Sequence, residues 1–154
     1  MYKKILVPLD GSERAEAILP HVEELAKAGD AEVILLSVIE LGAGEMSPSM
    51  ALPGATIDYE LYLKAMQKSE EESKKYIEAK ANELGKNKIK VKQKLLKGNT
   101  VSAIISVADE EKVDLIAMAS HGRTGLSRVF FGSVAAGVLH RAERPLLLVR
   151  ATGD

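Results

Sequence analysis

The chain has 154 residues, of which 46% are hydrophobic and 28% are charged, and its formal net charge is −1. This composition is typical of a soluble globular protein and predicts one domain over residues 1–154, while the near-zero charge gives no reason to expect nucleic-acid binding. The chain contains no cysteine, which excludes disulfide bonds and thiolate chemistry.

The first elements are a strand and a helix. The apolar run in residues 3–9 predicts a central parallel strand. Ser12 is the expected N-cap of a helix that continues to about Ala28. Pro20 lies inside the apolar pattern of that helix, so we expect a kink there and no break. The helix should stop at Gly29 and Asp30.

The middle of the chain predicts a strand, a loop, a long helix and a second strand. Residues 32–40 are apolar, and residues 41–55 are rich in glycine, proline and small residues. This loop is either a tolerated insertion or a flap over a ligand. Residues 57–85 predict a charged helix with Gly85 as its C-cap. Alternation in residues 89–96 predicts a half-exposed strand near a sheet edge.

The last part adds two helices and two strands. Asn99 or Thr100 should cap a helix, and a strand over Leu115–Met118 should follow it. A short helix after Gly132 and a strand over residues 145–150 complete the pattern. Strands that alternate with helices predict a parallel sheet with helices on both faces. Ligands of such sheets bind beyond the carboxyl ends of the strands, where the strand order reverses.

The most informative segment joins the fourth strand to the last helix. Nine residues separate Gly122 from Gly132, and Ser133 follows directly as the expected N-cap. A helix start after such a loop presents free N–H groups and a positive dipole end to an anion. The loop has no G-K-[ST] and is not a P-loop. Taken alone, its glycines indicate either a phosphate site or an ordinary connection.

The spacing resembles the G-x2-G-x9-G-[S/T] signature of ATP-binding universal stress proteins, with Ala119 in place of its first glycine. The opening KKILVPLDGSE, the strand VILLSVIE and the stretch from Asp114 to Arg150 are also similar to that family. The resemblance breaks only around residues 41–60. It implies a Rossmann-like α/β fold, an open parallel five-stranded sheet of order 3-2-1-4-5 with helices on both faces. It also implies a homodimer joined through the last strand, Leu146–Arg150.

The same resemblance implies a set of nucleotide contacts. Val38 would pair its backbone with adenine, and Asp10 would reach the ribose side. Asp10 is otherwise only a turn residue, and Arg123 is otherwise surface charge. The full set comprises Pro8, Asp10 and Val38 around adenine and ribose, Met118 and Ala119 at the ribose end, His121, Gly122 and Arg123 along the phosphates, and Gly132, Ser133, Val134 and Ala135 closing around them.

Three functions remain open at this point. The leading hypothesis is a regulatory stress-response protein that binds ATP, or ADP or AMP, with Mg²⁺ on the phosphates. A slow ATPase or nucleotide-transfer enzyme ranks below it, because no general base is positioned by a second group and no carboxylate pair for metals is evident. The third is a family member that no longer binds ATP and serves as an interaction module, which Ala119 would favour.

The remaining expectations concern location and partners. The three histidines, at positions 21, 121 and 140, have no metal-ligand spacing. The first residues turn polar too soon for a signal peptide, and no run of about 18 apolar residues exists. We therefore expect a cytoplasmic protein with no membrane or nucleic-acid partner. The apolar last strand should lie at a sheet edge and pair with a second copy, unless its own chain covers that edge.

Overall fold

The computed structural model describes residues 1–40, 59–120 and 132–151. The predicted loop at 41–55 lies outside these residues. None of the described helices has both the length and the apolar character needed to cross a bilayer. The elements, in chain order, are β1 (Lys4–Pro8), α1 (Glu13–Glu16), α2 (Leu19–Gly29), β2 (Glu32–Ile39), α3 (Tyr59–Lys86), β3 (Lys90–Lys97), α4 (Thr100–Glu110), β4 (Leu115–Ala119), α5 (Ser133–Arg141) and β5 (Leu146–Val149).

The five strands form one parallel sheet of order β3-β2-β1-β4-β5. This confirms the expected α/β fold and strand order. Alternate residues of each strand face opposite sides, so the sheet has two apolar layers. Ile5 and Val7 pack with residues of α1, α2 and α3, whereas Leu6 packs with residues of α4 and α5. Because both faces of the central strands are covered, the buried runs Ile5–Val7 and Val33–Leu36 are apolar, as their sequence predicted.

The first predicted helix is in fact two helices, so the expected kink at Pro20 was wrong. α1 ends at Glu16, and α2 begins at Leu19 with Pro20 in its first turn. Proline has no N–H to continue the hydrogen-bond ladder but is tolerated in a first turn, where N–H groups lack helical partners anyway. The chain therefore starts a new helix at the proline.

Among the caps predicted between residues 12 and 100, those at Ser12, Asp30 and Asn99 are present and the one at Gly85 is not. Ser12 accepts a hydrogen bond from the Ala15 N–H, and Asn99 accepts one from the Ser102 N–H. Asp30 ends α2 in the left-handed conformation. The predicted C-cap Gly85 instead lies inside α3, which runs on to Lys86. The left-handed residue after this helix is Lys88, with φ of 63°.

Gly85 and Gly98 make a matched pair for a stability test. A Cβ added at either glycine would meet nothing within 4 Å, but Gly98 has φ of +132°. Gly85→Ala should raise the free energy of unfolding by about 0.5–1 kcal/mol, because alanine loses less backbone entropy in a helix. Gly98→Ala should lower it by about 1–3 kcal/mol, because an L side chain is strained there. Urea unfolding measures both changes in the free energy of unfolding. A neutral or destabilising Gly85→Ala would contradict the position of Gly85 inside α3.

The exposed edge strand β3 carries lysines that are paired with carboxylates. Lys92 Nζ lies 2.7 Å from Glu111 Oε1, and Lys94 Nζ lies 2.8 Å from the same oxygen. The hydrogen bond from Lys92 and then that from Lys94 lower the pKa of Glu111 from 4.5 to about 2. Charged side chains of this kind also oppose pairing of the edge with another strand.

The depressed pKa of Glu111 predicts how stability depends on pH. A lowered native pKa contributes stability above pH 4.5 and loses it as the pH falls toward 2. Glu111→Gln should therefore have a lower urea midpoint than the wild type at pH 7, and the difference should close as the pH falls from about 4.5 toward 2. Glu110→Gln is the control, because the Glu110 side chain is mostly exposed and its Oε2 lies 3.8 Å from Lys94 Nζ, farther than Glu111 does. If the urea midpoints of Glu111→Gln and the wild type differed by the same amount at every pH, the pairing of Glu111 with Lys92 and Lys94 would be contradicted.

Candidate functional site

The strand order reverses at β1, and the sheet opens there at its carboxyl end. β2 and β3 lie on one side of β1, and β4 and β5 lie on the other. β1 and β2 stay in register as far as Pro8 and Leu36. The register of β1 with β4 stops at Leu6 and Ile116, although both strands continue. A crevice between diverging parallel strands is the usual ligand position in this architecture.

Val38 presents its backbone to this crevice. The Leu9 N–H donates to the Leu36 carbonyl (2.9 Å), so Leu36 hydrogen-bonds toward β1. The Gly98 N–H donates to the Ile39 carbonyl (3.0 Å), so Ile39 hydrogen-bonds toward β3. Since backbone groups alternate sides along a parallel strand, the N–H and C=O of Val38 face the β1 side. β1 has ended at Pro8 by that level.

Asp10 organises the turn that leaves the end of β1. The Ser12 N–H and the Ser12 hydroxyl both donate to Asp10 Oδ1, at 2.9 and 2.5 Å. Ser12 in turn caps α1 through the Ala15 N–H. The carboxylate is half-buried and belongs to the turn, which places it beside the crevice. Asp10 therefore stabilises the turn after β1, and in this role it still lies beside the crevice.

A polar cluster ties α1 to α3 behind this turn. The Tyr76 hydroxyl donates to Glu16 Oε1 (2.8 Å), and Lys80 Nζ lies 3.1 Å from Glu16 Oε2. Burial raises the pKa of the Tyr76 hydroxyl, and the hydrogen bond to Glu16 and the charges of Glu16, Asp10 and Glu83 raise it further. Because Glu16 lies in α1, four residues after its N-cap Ser12, the cluster lies close to the turn.

Ser120 joins the end of β4 to the start of α5, a role that its sequence context did not reveal. Its N–H donates to the Val149 carbonyl (2.8 Å), and its carbonyl accepts from the Gly132 N–H (2.7 Å). Ser120 is only 2% exposed. The hydrogen bond between Gly132 and Ser120 therefore places the start of α5 next to the end of β4. The one available signal was a polar residue directly after a buried strand.

The N-terminus of α5 points to the carboxyl end of the sheet. Gly132 is its N-cap, with φ of −52° and ψ of 154°, and as a glycine it has no side chain with which to cap the helix. The predicted N-cap Ser133 is therefore wrong, because Ser133 is the first helical residue. The Ala136 N–H donates to the Gly132 carbonyl (2.9 Å). The N–H groups of Ser133, Val134 and Ala135 precede this bond and have no partner within the helix.

The structure brings several predicted site residues to one face of the sheet. Val38, Met118, Val134 and Ala135 all pack on the apolar layer beneath α4 and α5. Ala119 is 7% exposed at the end of β4 and does not have a positive φ. The departure from glycine at this position therefore causes no backbone strain. Compared with glycine, Ala119 therefore differs only by the volume of one methyl group.

Three predicted residues, His121, Gly122 and Arg123, lie outside the described part of the chain. Within residues 1–40, 59–120 and 132–151, no three His, Asp or Glu side chains come together in a way that could hold a metal ion. Among the described residues, the candidate site therefore comprises the backbone groups of Val38, those of the α5 N-terminus, and Asp10 in the turn after β1.

The model of the universal stress protein family matches residues 1–150. The chain belongs to the universal stress protein family. It is 35% identical over 150 residues to universal stress protein MJ0531 of Methanocaldococcus jannaschii, covering 97% of this chain and 83% of that protein. It is 36% identical over 163 residues to MJ0577 of the same organism, covering 97% and 96% of the two chains.

Solved structures of universal stress proteins share the fold. The structure of MJ0577 has a TM-score of 0.80 at 33% identity and covers 100% of this chain and 99% of its own. A universal stress protein in complex with cAMP has a TM-score of 0.65 at 20% identity, covering 98% of both chains. The Archaeoglobus fulgidus universal stress protein in complex with dAMP has a TM-score of 0.64 at 22% identity, covering 97% and 98%.

Proposed function

We propose that this universal stress protein binds an adenine nucleotide (ATP, ADP or AMP) and acts as a nucleotide-dependent regulatory switch. The observation that carries the proposal is the arrangement at the carboxyl end of the sheet. There the side chain of Val38 packs on the same face of the sheet as α5, and the backbone of Val38 faces the β1 side beyond the end of β1. Two solved structures of universal stress proteins with the same fold contain cAMP and dAMP, respectively.

The backbone of Val38 suits the edge of an adenine ring. A single strand residue that extends beyond its neighbouring strand offers one N–H and one C=O on the same side. Adenine offers an acceptor nitrogen beside an amino donor, whereas guanine has an acceptor oxygen at the corresponding place. Backbone groups in a fixed strand can orient such a ligand without side-chain chemistry. We therefore expect adenine to be preferred over guanine.

The N-terminus of α5 suits phosphate groups. Three consecutive N–H groups, those of Ser133, Val134 and Ala135, and the positive end of the helix dipole would face the anion. Because the described residues form no metal cage, Mg²⁺ would arrive with the phosphates and retain much of its water. Asp10 lies at the end of β1 and would face the ribose. His121, Gly122 and Arg123 would complete the phosphate side.

We also propose a homodimer joined through β5. This strand lies at the end of the sheet, and its four residues are all partly exposed. Leu147 and Val149 pack on one apolar layer, and Leu146 and Leu148 pack on the other. An apolar edge strand pairs readily with a second copy, and a twofold axis makes that pairing self-complementary.

Calorimetric titration with ATP, ADP, AMP and GTP, with and without Mg²⁺, tests the binding proposal. We expect the adenine nucleotides to bind and GTP to bind at least about tenfold more weakly, a difference of roughly 1.4 kcal/mol. Absence of binding by all three adenine nucleotides would overturn the proposed function. Equal affinity for ATP and GTP would contradict the role given to Val38.

A further inference from the structure

The contact between Gly137 of α5 and Val101 of α4 fixes how closely these helices approach. A Cβ added at Gly137 would lie 2.7 Å from Val101 Cγ2, 3.2 Å from Cγ1 and 3.5 Å from Cβ. The first of these distances is far below a normal carbon–carbon contact of about 3.5–4 Å. Only a glycine therefore allows the present separation of α4 and α5 at this point.

Val101 has little freedom to move away from such a methyl group. Its side chain is branched at Cβ, and valine in a helix strongly prefers one rotamer. Both of its methyl groups lie near the added atom, so rotation about χ1 leaves one of them close. α4 itself is held firmly, since Ile104 and Val107 are fully buried and Ala108 is 2% exposed. The Asn99 side chain also caps its first turn.

α5 is the element that would have to yield. It has nine residues, and among them only Ala135 and Val138 are buried. Gly137 lies four residues after Ser133, so the contact with Val101 is about 6 Å along the axis from the first helical residue. Arg141 Nη1 donates to Ser102 Oγ at 3.2 Å, which ties the far end of α5 to α4. A wedge at Gly137 would therefore push α5 away from α4, and the N–H groups of its first turn would move with it.

We propose that Gly137 is a positioning residue that seats the α5 N-terminus against the phosphates of the bound nucleotide. This inference rests on the proposed function. Displacing the N–H groups of α5 should weaken their contacts with phosphate. The contacts of Val38 with adenine should stay in place, so the loss of affinity should depend on the phosphates. Gly137→Ala should thus lower affinity for ATP and spare affinity for adenosine, which has no phosphate.

The test compares the wild type, Gly137→Ala, Val101→Ala and the double variant by titration with ATP and with adenosine. Gly137→Ala should bind ATP at least about fivefold more weakly and adenosine within about twofold of the wild type. Val101→Ala removes the two methyl groups that obstruct the new one, so the double variant should regain ATP affinity. Unchanged ATP affinity in Gly137→Ala, or a loss that the double variant retains, would overturn the proposal.

A second measurement is independent of nucleotide. The backbone amide resonances of Ser133, Val134 and Ala135, recorded without ligand, should shift in Gly137→Ala and return in the double variant. Unshifted amides would overturn the positioning role whatever the wild type binds. If the amides shift as expected but the wild type binds neither ATP nor adenosine, the packing role stands, and both the proposed function and the role in seating phosphate are overturned.

Discussion

Replacing Ser133 with proline should weaken ATP binding by about 10- to 100-fold while the fold persists, because a hydrogen bond to a charged group contributes about 1.5–3 kcal/mol. Ser133 is the first residue of α5, where proline is favoured. The residue before it, Gly132, has ψ of 154°, which suits a residue that precedes proline. The ring therefore removes one N–H donor from the proposed phosphate site without opposing the helix.

Ser133→Ala is the matched control, since it removes the hydroxyl and keeps the N–H. If the backbone donor carries the contact, Ser133→Ala should bind ATP much more tightly than Ser133→Pro. Equal losses in the two variants would assign the contact to the hydroxyl. ATP affinity that is unchanged in a folded Ser133→Pro protein would remove the α5 N-terminus from the site. Titration calorimetry gives the affinities, and circular dichroism checks the fold.

Replacing Leu148 with proline should convert the proposed dimer to monomer. The Ile116 N–H donates to the Pro145 carbonyl and the Ser120 N–H to the Val149 carbonyl, at 3.0 and 2.8 Å. By alternation, the N–H of Leu148 faces away from β4, toward the proposed partner. In a twofold dimer the substitution removes this donor from both copies, and the dissociation constant should rise at least about tenfold.

Two controls separate the loss of the donor from other effects. Leu148→Ala shortens the side chain but keeps the N–H, so it should remain more dimeric than Leu148→Pro. Leu147→Pro removes an N–H that faces β4 and should destabilise the fold itself. Sedimentation velocity measures the assembly state. A wild-type protein that sediments as a monomer at tens of micromolar would contradict the dimer.

The sheet was predictable because the hydrophobic pattern of each strand reflects how far that strand is buried. The fully apolar runs of β1 and β2 indicated central strands, and the alternation of lysine with apolar residues in β3 indicated an edge. The caps at Ser12 and Asn99 were predictable because these side chains complete the first turn of a helix locally. The strand order itself came from family resemblance, since alternation alone fixes only the layers.

The errors arose where two local solutions were compatible with the sequence. Pro20 is compatible with a kink in one helix or with the first turn of another. The structure has the second arrangement, in which α1 contacts β4 and α2 contacts β2. Gly85 could have ended α3, yet Ile89 N–H hydrogen-bonds to the Leu84 carbonyl (3.4 Å) after a turn centred on Lys88. A charged residue with positive φ is not a sequence signal, so the true end of α3 could not be predicted.

The candidate site was predictable in outline only. The glycine spacing and the resemblance located the start of α5 and the end of β1, but Ser133 was expected to act through a cap that Gly132 provides. Ser120 and Gly137 were missed because their importance lies in distances to residues of other elements, Gly132 and Val101. Such distances depend on how helices and strands pack, which the local pattern does not encode.

A backbone NMR titration with ATP and Mg²⁺ tests whether Val38 and the N-terminus of α5 bind one nucleotide together. We expect the amide resonances of Val38, Ser133, Val134 and Ala135 to shift together and to saturate with one affinity. Amides at the opposite end of the sheet, such as those of Asp30 and Glu111, should stay unchanged. Saturable shifts confined to that opposite end, or no saturable shift anywhere, would contradict nucleotide binding at this site.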